Sequence, residues 1–160
     1  MTTVNATAHP VPPPPPRGDT YRLALPNTAA APKVAREFVS SLLGINRHTS
    51  LVEDARLCVT EIVTNAHRHT ATPFIRVHVT VDRKRVTVCV ADDAPWALPV
   101  TASVPVPASG ADSYGGVGGR GLLLVESLAW AWGAVVHGGC VPRHKVVWFT
   151  LAKPTLLGAA

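Results

Sequence analysis

Glu61 and Asn65 are residues whose types and spacing could do chemistry. They lie within LCVTEIVTNAHRHT (57–70), and on a helix residues four apart stand one turn apart, about 40° from each other. Apolar residues recur with helical spacing in this stretch and place the pair at the border of an apolar stripe. By themselves, an acid and an amide at such a border are two solvated side chains. They gain a role only if the rest of the chain builds a site around them.

A second candidate is the glycine-rich stretch GGVGGRG (115–121), which leads directly into the helical pattern GLLLVESL (121–128). Backbone N–H groups of such a loop can approach phosphates closely, where the helix dipole favours anions. The formal GxGxxG does not predict a dinucleotide fold, because no strand leads into it and no acid follows Glu126. A P-loop would need Gly-Lys-Ser/Thr, which the sequence lacks. A phosphate-binding loop and a plain linker both remain open.

Two acids end an apolar run in VADDAP (90–95), where the chain leaves a predicted strand. A carboxylate there could accept a hydrogen bond from an adenine amino group, although acids are common in turns for other reasons.

The HRH run at 67–69 does not predict a metal site, since residues two apart on a helix point in different directions. Cys58, Cys89 and Cys140 are far apart and form no CxxC pair. Because Cys58 lies in a predicted helix and Cys89 in a predicted strand, the sequence predicts buried thiols in a reducing compartment rather than disulfides or zinc ligands.

The composition limits the class of protein. The chain has 160 residues, 47% of them hydrophobic and 16% charged, with a net charge of +5, which fits one domain with a proper core. Its basic residues are scattered, so the sequence does not predict a nucleic-acid partner, whereas an acidic protein partner would suit it. The sequence has no signal-peptide pattern and no membrane-spanning run, and we therefore expect a cytoplasmic protein.

The elements that must position these residues follow from the periodicity. Residues 1–19, with five consecutive prolines, predict a disordered tail, residues 20–153 a single domain, and residues 154–160 a second flexible tail. The predicted elements are a strand at 21–25, a helix capped by Thr28 and stopped by Gly44, a helix around 57–70, a hairpin of strands at 74–81 and 85–92, a helix at 121–133, and strands at 134–138 and 145–151. This order predicts an α+β two-layer sandwich, a mostly antiparallel sheet with helices on one face.

The three weak signals occur in a specific order: E-x-x-x-N on a helix, an acid at a strand end, and a glycine loop that opens a helix. This order resembles the ATP-binding superfamily of gyrases, chaperone ATPases, mismatch-repair ATPases and histidine kinases. The blocks TEIVTNAHRH, VADDAPWALP, GGRGLLLVESLAWAWG and KVVWFTL look most like its single-domain branch, the bacterial anti-sigma-factor serine/threonine kinases. The resemblance covers roughly residues 28–151 and implies the histidine-kinase-like ATPase fold.

The resemblance also implies roles, with ATP and Mg²⁺ as cofactors. Asn65 matches the amide that coordinates Mg²⁺, and Glu61 matches the general base that activates the attacking hydroxyl. Asp92 matches the adenine-reading acid, and Ala94 stands where the family usually has a small residue. The phosphate-binding loop and helix start correspond to Gly119, Arg120, Gly121 and Leu122, with 108–118 as a lid. Val146 stands where the last strand commonly has Thr, so the resemblance implies one hydroxyl contact fewer near adenine.

For the function, the resemblance implies a kinase that phosphorylates a Ser or Thr of an anti-anti-sigma protein and sequesters a sigma factor. The alternative is a non-catalytic module of the same fold that binds nucleotide or only a protein partner. We expect protein partners, with a homodimer among the arrangements, and neither direct nucleic-acid contact nor a membrane.

Overall fold

The computed structural model describes residues 12–96, 118–138, 140 and 143–154. For residues 118–120 it describes the backbone alone. Its elements are β1 (Asp19–Pro26), α1 (Ala31–Ile45), a short 3-10 turn (Thr49–Leu51), α2 (Val52–His69), β2 (Phe74–Val81), β3 (Arg85–Asp92), α3 (Gly118–Leu128), β4 (Ala131–His137) and β5 (His144–Ala152). The parts of the predicted tails at 1–11 and 155–160, and the predicted lid before Gly118, lie outside the described residues.

The five strands form one antiparallel sheet in the order β1-β2-β3-β5-β4. The strands of the β2–β3 hairpin agree residue for residue with the prediction, because alternating valines bury one face along both. α2 packs between α1 and α3 and contacts β2, β3 and β5. The predicted α+β sandwich is therefore confirmed. In the described part of the chain, no helix has the length and apolar character that crossing a membrane requires.

The core lies between the sheet and the three helices. Its largest fully buried apolar side chains include Phe149, Leu43, Ile75, Leu122 and Leu151. Burial of a large apolar side chain stabilises a fold by about 1.5–3 kcal/mol, so this layer dominates stability. It also fixes how α2 and α3 are placed against the ends of β3 and β5.

Two predicted ends of α1 are wrong. The helix begins at Ala31 with a proline in its first turn and no side-chain cap, because Pro32 needs no hydrogen-bond partner for its nitrogen there. At the other end, Gly44 lies inside the helix. Asn46 ends it by donating its side-chain Nδ2 to the Leu42 carbonyl at 2.8 Å, together with its backbone N–H.

The predicted helix at 121–133 is also wrong in its second half. α3 ends at Leu128, and Trp130 donates its backbone N–H to the Thr150 carbonyl at 2.8 Å. Residues from Ala131 then pair with β5, so β4 begins three residues before the predicted strand. The helical spacing of AWAWG is overridden because those residues complete the edge of the sheet.

The cysteines differ in how much water reaches them. Cys58 lies on the buried face of α2, and burial, with lesser contributions from the charges of Asp54 and Glu61, raises the pKa of its thiol to about 12. Burial likewise raises the pKa of Cys89 to about 11, whereas Cys140 is exposed. Since the thiolate is the nucleophile, we expect only Cys140 to react readily in the folded protein.

A thiol titration checks this expectation. At pH 8 the thiolate fraction is about one in a thousand for Cys89 and about one in ten thousand for Cys58, from their raised pKa values. An aromatic disulfide reagent should therefore modify one thiol per native chain quickly and all three after unfolding. Cys140→Ser should abolish the fast phase. Fast modification of Cys58 in the native protein would contradict the burial of α2's inner face.

Candidate functional site

Glu61 and Asn65 leave α2 at the edge of its buried stripe, as the periodicity predicts. The stripe consists of Ala55, Cys58, Val59, Ile62, Val63 and Ala66, all buried. Glu61 and Asn65 are half-buried, and within the described part of the chain neither side chain forms a hydrogen bond. With respect to the described residues, the amide oxygen of Asn65 and the carboxylate of Glu61 therefore keep acceptor positions for a further group on this side of α2.

The first turns of α3 come directly against Glu61. A Cβ placed on Gly121 would clash with Glu61 Oε2 and would lie 3.0 Å from Glu61 Cδ and 3.2 Å from Glu61 Cβ. With Glu61 in this position, a side chain at 121 fits only if the Glu61 carboxylate moves away. The glycine at 121 is therefore explained by the close approach of two helices, and the sequence pattern alone could not distinguish this reason from a linker.

The electrostatics of this contact are favourable. α3 begins at Gly118 and carries no acidic residue in its first turn. The Glu61 carboxylate of α2 lies against this first turn, at the N-terminal end of α3, where the helix dipole stabilises negative charge. Leu122 is fully buried and anchors α3 to the core, so a ligand would meet its backbone rather than its side chain. Gly119 and Arg120 lie in the same helix, and their side chains are outside the described ones.

Asp92 forms a second corner, at the end of β3. Its side chain is buried and makes an ion pair with Lys145 on the paired strand, with Nζ 3.0 Å from Oδ2 and 3.0 Å from Oδ1. The backbone N–H of Ala94 donates to Asp92 Oδ1 at 2.9 Å, and Lys145 Nζ donates to the Ala94 carbonyl at 3.1 Å. The small residue at 94, itself buried, lets the backbone turn around the carboxylate.

Asp93 faces the other way and is about 44% exposed. It accepts a hydrogen bond from the Thr72 hydroxyl at 2.9 Å, and its other oxygen lies 3.7 Å from an Arg76 nitrogen. The two adjacent acids thus have different environments, since Asp92 is enclosed with a lysine and Asp93 ties the end of β3 to the start of β2.

Asn27 holds the far end of α2 in place, which sequence reasoning missed. Its Nδ2 donates to the carbonyls of Thr70 and Thr72 at 3.3 and 2.8 Å, so its Oδ1 must accept from His67 Nδ1 at 2.7 Å. Because His67 is two residues beyond Asn65, this network fixes the last turns of α2. Asn27 is 40 positions away from His67 in sequence, and no local signal pairs them.

The predicted site residues form two groups. Glu61 and Gly121 meet where α2 packs on α3, with Asn65 one turn further along α2, and Asp92 with Ala94 forms the corner at the end of β3. Val146 pairs with Ala91 on the opposite face of the sheet from Asp92, so a missing hydroxyl there removes no contact beside Asp92. Lys145 was not singled out by the sequence, although its position opposite the strand-ending acid makes it part of the corner.

Comparison with known families identifies the domain. The model of the histidine kinase-like ATPase domain matches residues 25–150, most of the chain. The chain belongs to this family. No curated protein matches the sequence significantly. A histidine kinase-like ATPase domain binds ATP, usually with Mg²⁺, and the residues that the sequence singled out lie within the matched range.

The approach of Gly121 to Glu61 predicts an energetic coupling between the two positions. Gly44 supplies a matched control, because it lies inside α1 with nothing within 4 Å of an added Cβ. Gly44→Ala should therefore raise the free energy of unfolding by about 0.5–1 kcal/mol through helix propensity alone.

Gly121→Ala should lose that gain, because the new methyl group displaces the Glu61 carboxylate. In a Glu61→Ala background the same change should be stabilising, with a coupling of about 1 kcal/mol in a double-mutant cycle measured by urea unfolding. If Gly121→Ala stabilised the parent chain as much as Gly44→Ala does, the close contact between α2 and α3 would be wrong.

Proposed function

We propose that this histidine kinase-like ATPase domain is an ATP-dependent protein serine/threonine kinase. The observation that carries the proposal is the pair on α2: a carboxylate and an amide one turn apart, both half-buried, with the start of α3 against the carboxylate. The family match supports nucleotide binding. The residue pair supports a site that acts on a hydroxyl over one that only binds nucleotide.

The donor set fits the two cofactors. The Asn65 amide oxygen is a hard ligand of the kind that Mg²⁺ prefers, and it has no hydrogen bond in the described part of the chain. Asp92 and Ala94 would hold the base, and the start of α3 the phosphates. ATP with Mg²⁺, when bound, supplies the phosphoryl group and neutralises part of its charge.

Glu61 would then accept the proton of the incoming hydroxyl. A carboxylate placed only to bind would be repelled by neighbouring phosphates, whereas one that faces a hydroxyl removes its proton as the new bond forms. Its position one turn from Asn65 lets both groups reach one substrate.

The substrate in this proposal is a Ser or Thr of an anti-anti-sigma protein. When that partner is absent, the domain would sequester a sigma factor. The resemblance of four sequence blocks to the anti-sigma-factor kinases supports these partners. The single-domain size of the matched range is compatible with the same branch.

A non-catalytic module is the second candidate, and one contact favours it. The Glu61 carboxylate packs against Gly121, so part of its surface is already covered by α3.

Incubation of the chain with radiolabelled ATP, Mg²⁺ and candidate anti-anti-sigma proteins distinguishes the kinase from the non-catalytic module. Label on a partner Ser or Thr supports the kinase, and tight ATP binding without transfer supports the module.

Asn65→Ala tests the metal-holding role. It should weaken ATP binding in the presence of Mg²⁺ and have little effect on binding in EDTA or on the unfolding transition, because only the metal link is lost. Calorimetry with and without Mg²⁺ measures this. Asn46→Ala, an amide at the end of α1, is the control and should leave both affinities unchanged. Equal Mg²⁺-dependent affinity of Asn65→Ala and parent would remove Asn65 from the site.

Glu61→Gln tests the general base while keeping the shape that packs on Gly121. It should retain ATP binding and reduce phosphotransfer by roughly 10²- to 10⁴-fold, the usual contribution of a general base. Glu53→Gln, at an exposed acid in the first turn of α2, should transfer at the parent rate. Transfer by Glu61→Gln at the parent rate would show that Glu61 does not act on the hydroxyl.

A further inference from the structure

The buried corner formed by Asp92, Lys145 and Ala94 has a defined hydrogen-bonding capacity. Asp92 is 1% exposed and Lys145 is 4% exposed, so water contributes little to either. Asp92 Oδ1 accepts from the Ala94 N–H and from Lys145 Nζ, which fills both of its acceptor positions. Oδ2 lies 3.0 Å from Lys145 Nζ and retains one acceptor position.

Lys145 has no donor left. Its ammonium group carries three protons, and three oxygens surround it: both oxygens of Asp92 and the carbonyl of Ala94 at 3.1 Å. The Asp92 carboxylate can therefore accept one more hydrogen bond, and the Asp92–Lys145 pair can donate none. This is a property of the pair, since a carboxylic acid or a free lysine at the same place would donate.

We propose that Lys145 is a positioning residue that determines base selectivity, by holding Asp92 as a hydrogen-bond acceptor only. The inference rests on the proposed binding of ATP with the base beside Asp92. An adenine presents an amino group, which donates to the remaining position on Oδ2. A guanine presents a carbonyl oxygen at the corresponding place, and an acceptor-only corner rejects it.

Strand pairing, and not proximity in sequence, brings Lys145 to Asp92. It is 53 positions from Asp92 but directly opposite it on the neighbouring strand, on the side of the sheet that faces the helices. The lysine lies beside Asp92 on the neighbouring strand, and in this inference the remaining acceptor position on Oδ2 is the one that the base uses. Without the ammonium group, the buried Asp92 carboxylate takes up a proton, and its O–H then donates, or it turns away and frees the Ala94 N–H to donate. In either case the corner no longer acts only as an acceptor.

The experiment measures the dissociation constants of ATP and GTP, each with Mg²⁺, for the parent chain and three variants. Lys145→Met removes the cation. The double variant Asp92→Asn with Lys145→Met removes the buried charge entirely, so it keeps the test available if the single variant unfolds. Lys153→Met, which loses a half-buried lysine at the other end of the last strand, is the matched control.

The parent chain and Lys153→Met should prefer ATP by roughly 10- to 100-fold, as expected for a mismatched buried polar group. The preference should fall to within about threefold in the double variant, whose amide can donate as well as accept, and should fall in Lys145→Met when that variant is folded. A double variant that kept the parent preference would overturn the inference while leaving ATP binding intact. A parent chain that bound neither nucleotide would overturn the proposed function itself, and with it the inference.

Discussion

Burial of one apolar stripe on α2 is the constraint on which the candidate site depends. The stripe faces the sheet while α1 and α3 pack on either side. Rotating the helix by one residue would expose Val59, Ile62 and Val63, whose burial contributes about 1.5–3 kcal/mol each. This fixes the direction in which Glu61 and Asn65 leave the helix. The same packing brings the start of α3 to Glu61, where the absence of a side chain at Gly121 is the condition for the contact.

The ion pair between Asp92 and Lys145 at the end of β3 differs from the apolar stripe, because its burial does not by itself stabilise the fold. Removing two charges from water is expensive, and a buried pair is no more stabilising than two well-packed apolar residues. The neighbouring positions on both strands, Val90 and Val147, show that apolar residues fit this layer. Asp92 and Lys145 are tolerated because they pair with each other and because Ala94 donates its N–H to Asp92 Oδ1 and accepts from Lys145 Nζ. Stability alone therefore does not account for this pair, and the proposed recognition of the base gives it a role.

The parts of the fold that the sequence predicted well are those in which one face is buried along a regular element. The β2–β3 hairpin was predicted residue for residue, and the stripe of α2 is buried as its spacing requires. The prediction failed where two periodicities overlap. The residues after Leu128 have helical spacing, but hydrogen bonding to β5 makes them a strand, and that partner is not visible in the local pattern.

The sequence by itself determined which residues share a face: the acid and the amide on one side of α2, an acid at the end of an apolar strand, and glycines at the start of a helix. Local periodicity encodes these because each depends only on neighbours within one element. Only the tertiary structure placed Lys145 on Asp92, His67 on Asn27 and Gly121 on Glu61. Those pairs arise from strand order and helix packing, since β5 lies between β3 and β4, and such long-range contacts leave no periodic signal in the chain.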